Sequence, residues 1–231
     1  MPDLNQSQIQ ARDHIGSNLL ILAGAGAGKT ETISARALNI AGLQGSTGLT
    51  LITFTKKAAL SLRERFEQVQ GTNHNAFIGT FHSLCWRIIL EFGYKLGIDS
   101  SWAIMDQDDA IRLMKMYCST LDANECLKVL SFSRNSNISV NDAINTPRFA
   151  NLQGNEDLII RAAETYSQKT KLNKRLDFDT LLTTANILIT EYPDIKEIAH
   201  QRFKNILVDE YQDTSFLQFK LLEQLNTGKN I

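Results

Sequence analysis

The chain has 231 residues, of which 43% are hydrophobic and 21% charged, with a formal net charge of −1. That is enough material for one or two domains with a sizeable core, and the composition excludes an intrinsically disordered segment. The balanced charge means that any surface for an acidic partner must be local. Three cysteines, Cys85, Cys118 and Cys126, form an odd and sparse set without metal-ligand spacing. They argue against a disulfide scaffold and lead us to expect reduced, buried thiols in a cytoplasmic chain. The first residues do not read as a basic-then-apolar leader, and no apolar run approaches membrane-spanning length.

In chain order, "NLLILAG" is a continuous apolar run closed by glycine, which predicts a buried strand. A helix is expected from about Lys29 to Ala41, with Ile33, Ala37, Ile40 and Ala41 on one face and Gly42 as its stop. "LTLITFT" (Leu49 to Thr55) predicts a second strand from its β-branched and aromatic content. "KKAALSLRERFEQV" follows as a helix, with Ala58, Leu62, Phe66 and Val69 in register. "AFIGTFH" predicts a third strand and "SLCWRIILEF" a third helix. Between about Trp86 and Leu176 the strand signal disappears. In that region Asp106 is the expected N-cap of a helix carrying Ile111, Met114 and Cys118. Leu158, Ala162 and Tyr166 mark a second helix, and Phe178, Leu181, Leu182, Ala185 and Leu188 a third, with Pro147 and Gly154 as punctuation. "NILVDE" (Asn205 to Glu210) predicts a fourth strand, apolar until its two carboxylates. Strands alternating with helices argue for a parallel α/β sheet with a helical block inserted into it, and ligands are expected at the carboxyl ends of the strands.

Two stretches carry chemistry. "ILAGAGAGKT" (Ile21 to Thr30) is a strand-turn-helix with the G-x-x-x-x-G-K-[ST] pattern, except that Ala23 stands where the strict pattern has its first glycine. Its glycines let backbone amides converge on phosphate oxygens, and the following helix N-terminus adds positive potential. Lys29 is expected to reach the β- and γ-phosphates and Thr30 to ligate Mg²⁺. "ILVDEYQDT" supplies the second half: Asp209 suits Mg²⁺, and Glu210 suits polarisation of a water aimed at the γ-phosphate. Alone, each stretch also fits a plain β–α turn or an ordinary strand end; together they point to a nucleoside triphosphate and Mg²⁺.

"LNQSQ", "AGAGAGKT", "TFTKKAA", "GTFHSLCWRII", "LDFDTLL" and "VDEYQDT" occur in order across nearly the whole chain. In these stretches the chain resembles the N-terminal part of UvrD/Rep/PcrA-type superfamily-one DNA helicases. The resemblance implies a RecA-like P-loop core split by an all-helical subdomain, with segments 1–86, 87–175 and 176–231. It also implies ATP-driven 3′→5′ movement on single-stranded DNA, with repair among the candidate pathways. Carried over to this chain, it gives Gln8 to the adenine edge, where an amide can donate and accept at once. It gives the phosphate loop Ala23, Gly24, Ala25, Gly26, Ala27, Gly28, Lys29 and Thr30, with Gln212 in the nucleotide-binding set. Thr53, Phe54, Thr55, Thr80, Phe81 and His82 fall to single-stranded DNA, where aromatic stacking and hydroxyl–phosphate contacts need no sequence preference.

Some positions depart from the family pattern. Lys56 replaces the usual Asn, Glu31 replaces a frequent basic residue, and Thr180 replaces an acidic one. Phe54 and Phe81 fit core packing at strand ends as well as stacking, and Gln8 by itself fits an exposed residue near a helix start. The run "QKTKLNKR" (Lys169, Lys171, Lys174 and Arg175) fits a solvated helix end better than a DNA track. The chain stops at "LNTGKNI", so we expect an N-terminal fragment without the second RecA-like domain, binding ATP weakly and not unwinding DNA. Two other classes fit part of the pattern: an ATP-responsive protein-interaction module, and, less well, a small-molecule P-loop kinase.

Overall fold

The computed structural model describes residues 4–24, 26–118, 120–228 and 231. In chain order the elements are α1 (Gln6–Asp13), α2 (Lys29–Gln44), β1 (Leu49–Thr53), α3 (Lys56–Gln70), β2 (Phe77–Thr80), α4 (Phe81–Phe92) and β3 (Ala103–Ile104). Then come α5 (Gln107–Lys115), α6 (Ala123–Ser136), α7 (Val140–Ile144), α8 (Glu156–Leu172) and β4 (Arg175–Leu176). The remainder is α9 (Phe178–Glu191), α10 (Pro193–Arg202), β5 (Asn205–Val208) and α11 (Phe216–Leu225). The chain is α/β with mostly helical content, and among the described residues all strand pairs are parallel. It divides into two compact units: residues 1–84, 189–214 and 222–231, and residues 85–188 with 215–221.

In the first unit β1 is central, flanked by β2 and β5 in the order β2-β1-β5. Leu51 pairs with Ile78 on one side and Leu207 on the other, and Thr53 lies opposite Thr80. The parallel register therefore brings the carboxyl ends of all three strands to one edge, where Asp209 follows β5 and donates its backbone N–H to Ile52 at 2.9 Å. Every residue of β1 is buried, as expected for a strand covered on both faces. Leu49, Leu51, Ile78 and Leu207 pack with Ala37, Ile40 and Ala41 of α2 and with Leu62 and Phe66 of α3. Burial at roughly 25 cal/mol per Å² makes this apolar seam the main force holding the helices on the sheet.

Several expectations shift. The run 19–24 forms no strand, although β5 at the sheet edge pairs only with β1, and Leu20 and Leu22 are 64% and 85% exposed. Gly42 does not stop α2, which continues to Gln44. Its C-cap is Gly45 at φ 81°, a left-handed position whose N–H donates to Ala41 at 3.0 Å. On α3 the buried face runs through Ala59, Leu62 and Phe66, while Val69 is exposed.

The second unit is a helical assembly closed by a two-residue parallel ladder, β3 with β4, which the sequence pattern does not reveal. Its core joins Met114, Cys118, Cys126, Val129, Ile144, Phe149, Ile159, Ala162 and Tyr166. Asp106 is the N-cap of α5, accepting from the Asp109 amide at 2.8 Å, as its sequence position indicates. Leu181, Leu182, Ala185 and Leu188 are fully buried, whereas Phe178 and Leu158 at the starts of α9 and α8 are about half exposed. Asp177, just before α9, is held by a dense network. It accepts from Arg134 Nη1 (3.0 Å), Tyr166 Oη (2.9 Å), and both the amide (2.7 Å) and hydroxyl (2.6 Å) of Thr180. Thr180, which replaces an acidic residue, is thus a donor that the ion pair uses.

Candidate nucleotide site and adjoining strand ends

The site is assembled from three elements of the first unit. Helix α2 begins directly after Gly28, which sits in the left-handed region (φ 80°) and provides no side-chain cap. The first-turn amides of this 16-residue helix therefore have no side-chain acceptor, which leaves an anion-binding terminus. Gly28 is favoured by its φ, which other residues rarely adopt; a Cβ there would also lie 2.8 Å from Gln8 Nε2, the flexible end of a side chain that would have to give way. Lys29 Nζ donates to the carbonyls of Ala23 (3.0 Å) and Gly24 (3.3 Å), so its ammonium lies within the loop's own curve. Ala25 lies outside the described residues.

Helix α1 brackets the loop. Asn5 and Gln8 form a reciprocal capping box, and Gln8 Nε2 also donates to Ala27 O at 3.2 Å. The Gln8 amide is therefore already shared between the helix cap and the phosphate loop, and an adenine edge would meet a side chain oriented from both ends. Arg36 of α2 fixes α1 from below. Its buried guanidinium donates to the carbonyls of Ala11 (2.8 Å) and His14, and burial lowers its pKa.

The third element is the end of β5. Asp209 is buried at 5% exposure, and Thr30 Oγ1 donates to its Oδ2 at 3.3 Å. The two candidate Mg²⁺ ligands, 179 residues apart in sequence, thus meet. Burial pushes the Asp209 carboxyl above the ordinary range and the Glu210 charge adds to this, while the Glu210 amide, the Thr30 hydroxyl and Lys29 oppose it. Glu210 adopts a left-handed backbone (φ 52°, ψ 44°), uncommon for a non-glycine residue, which turns its exposed side chain away from the strand line. Gln212 Nε2 donates to Glu210 Oε2 at 2.5 Å. The loop 24–30 (Ala25 aside), Glu31, Arg65, Glu210 and Gln212 line one concavity of about 620 Å³. Arg65 is a participant that motif reading overlooks, since only the rotation of α3 brings it to this rim.

A hydroxyl beside a carboxylate is the hard-oxygen pair that Mg²⁺ takes when phosphates and waters complete its shell. Among the described residues, no group of three or more His, Cys, Asp or Glu could hold a metal by itself.

The residues expected at DNA are divided. Thr53 and Phe81 are buried at 1% exposure each, and the Thr53 hydroxyl donates to Thr55 O at 3.0 Å. These two side chains belong to the core: Phe81 opens α4 as an apolar anchor, meeting Phe54 edge-to-face with centroids 5.6 Å apart. Phe54, Thr80 and His82 are half-buried, and Thr55 is exposed as the N-cap of α3. Those four are the members of the set with surface to offer.

The profile of the UvrD/REP helicase N-terminal domain matches residues 4–231. The ATP-dependent DNA helicase UvrD1 of Mycobacterium leprae is 34% identical over 242 residues, covering 96% of this chain and 30% of that protein. The ATP-dependent DNA helicase PcrA of Bacillus subtilis is 31% identical, covering 96% of this chain and 31% of its own length. DNA helicase II of Escherichia coli is 30% identical, covering 99% and 33%. The chain is a member of the UvrD/REP helicase N-terminal domain family. It spans about a third of the length of these relatives.

Proposed function

We propose that this chain is the ATP-binding front portion of a DNA translocase, a RecA-like core interrupted by a helical subdomain near residues 87–175, that moves 3′→5′ along single strands at the expense of ATP. The observation that carries this reading is the Thr30–Asp209 contact beneath an uncapped helix N-terminus. The loop amides and Lys29 bind the phosphates, with Lys29 exchanging its carbonyl partners for phosphate oxygens. Thr30 and Asp209 would hold Mg²⁺, which would supply charge neutralisation on the phosphates. Glu210, exposed beyond the strand end and steadied by Gln212, orients the attacking water and takes its proton. Gln8 reads the adenine edge. Phe54, Thr55, Thr80 and His82, at the ends of β1 and β2, form the strip offered to single-stranded DNA.

By itself the 231-residue chain binds Mg²⁺–ATP weakly and turns it over little. The test is single-strand-stimulated ATP hydrolysis by the full-length protein. Glu210→Gln is expected to lower turnover about 10²- to 10⁴-fold while ATP still binds, and Lys29→Ala to abolish binding. Wild-type turnover indifferent to single-stranded DNA would instead favour an ATP-responsive interaction module. Undiminished turnover in Glu210→Gln would remove the assigned base.

A further inference from the structure

The mouth of the phosphate concavity carries an ion pair that phosphate binding, as described so far, leaves unused. Glu31 lies in the first turn of α2, one residue beyond Thr30, and Arg65 reaches it from α3 with Nη1–Oε2 at 2.8 Å. Both side chains line the same concavity as Lys29 and Glu210. Glu31 is 29% exposed and Arg65 47% exposed, so neither is locked in by packing.

The carboxylate serves two opposing ends. In the first turn of a helix it stabilises the positive terminus, but the same terminus is where a polyphosphate would bring its negative charge. Arg65 is a planar, permanently charged donor suited to phosphate, yet it faces Glu31. An exposed pair of this kind holds its partners with no more than about a fivefold preference. A polyphosphate chain carrying several charges would compete for the guanidinium on better than equal terms.

We propose that Glu31 and Arg65 form a charge latch that sets nucleotide affinity. Without nucleotide, Glu31 neutralises Arg65 and presents a carboxylate to the incoming phosphates. On binding, Arg65 leaves Glu31 for the phosphate chain, and the uncompensated Glu31 charge limits how tightly the complex holds. Glu31 is a positioning residue here, acting through Arg65. This inference rests on the concavity being the nucleotide site.

The experiment is calorimetric titration of the 231-residue chain with Mg²⁺–ATP for wild type, Glu31→Gln, Glu31→Asp, Arg65→Gln and Lys29→Ala. Removing the carboxylate is expected to tighten binding about threefold to tenfold. Glu31→Asp, which keeps the charge, is expected to stay within about twofold of wild type. Arg65→Gln is expected to weaken binding about threefold to tenfold, and Lys29→Ala to abolish it. Circular dichroism melts without nucleotide check that each variant folds. If Lys29→Ala abolishes binding but Glu31→Gln binds like wild type or more weakly, the latch is overturned and the nucleotide site stands. If Lys29→Ala binds as wild type does, the phosphate-loop reading fails and the latch falls with it.

Discussion

Two aspartates, one in each unit, are nearly as buried as each other and face opposite electrostatic circumstances. Asp177, 8% exposed, is surrounded by donors: Arg134, Tyr166 and two groups of Thr180. Burial alone would raise its pKa, but the Arg134 charge and the Thr180 hydrogen bonds outweigh burial and hold the carboxyl below the ordinary range. Asp209, 5% exposed, has one hydroxyl at 3.3 Å and one neighbouring amide, faces Glu210, and is pushed upward. The first carboxylate is satisfied by the fold itself. The second is left wanting a positive charge, and it sits beside a hydroxyl and an anion-binding helix terminus. That difference is the one the proposed metal role of Asp209 would draw on.

Stability measurements can break this contrast. The largest effect is expected from Asp177→Asn, which leaves the Arg134 charge without its counter-ion in a mostly buried setting. The expected cost is about 3 kcal/mol in urea-induced unfolding at pH 7, and a loss below about 1 kcal/mol would show that the network contributes little. Because the folded pKa of Asp177 is depressed, its stabilisation is present above the unfolded value of about 3.9. It is lost as pH falls through the lower folded value. The variant should accordingly show a flatter loss of stability below about pH 4.

Tyr166→Phe is the intermediate case. It removes one donor to Asp177 while keeping a fully buried ring, and is expected to cost about 1.5 kcal/mol. Burial and the adjacent Asp177 charge raise the Tyr166 pKa, so its hydroxyl remains protonated and donating through the accessible pH range. Asp209→Asn is expected to give the smallest change, and of opposite sign. A raised folded pKa means that the neutral carboxyl's contribution is complete below the unfolded pKa and is lost as pH rises through the folded one. At pH 7 the amide should therefore leave the fold as stable as wild type or slightly more so, by less than about 1 kcal/mol. The gain should vanish near pH 3, where both Asp209 states are protonated. A destabilised Asp209→Asn at pH 7 would place Asp209 with the structural carboxylates.

Much of this was legible in the residues. The three sheet strands, the helix after the phosphate loop and the pairing of Thr30 with Asp209 follow from local apolar runs and from motifs whose chemistry demands proximity. What escaped was relational. The apolar run 19–24 has every local mark of a strand, yet it joins no ladder and leaves Leu20 and Leu22 exposed. Phe81 and Thr53 carry the residue types of a DNA contact, and only the packing of α4 and the sheet shows that they point inward. The β3–β4 ladder, at two residues per strand, is too short for periodicity to register. Arg65 and Glu31 meet across two helices, a contact fixed by helix rotation rather than by spacing. The Arg134–Asp177 pair spans 43 positions and carries no motif for its basic partner.

The most direct test of the central claim is the Mg²⁺ dependence of ATP binding in the 231-residue chain, measured by calorimetry for wild type, Asp209→Asn and Tyr166→Phe. The account predicts that Mg²⁺ tightens ATP binding in wild type and Tyr166→Phe alike, and that Asp209→Asn binds ATP with the Mg²⁺ increment lost. An Asp209→Asn protein that keeps the full increment would contradict the assignment of Asp209 and Thr30 as the metal's partners, and with it the proposed site.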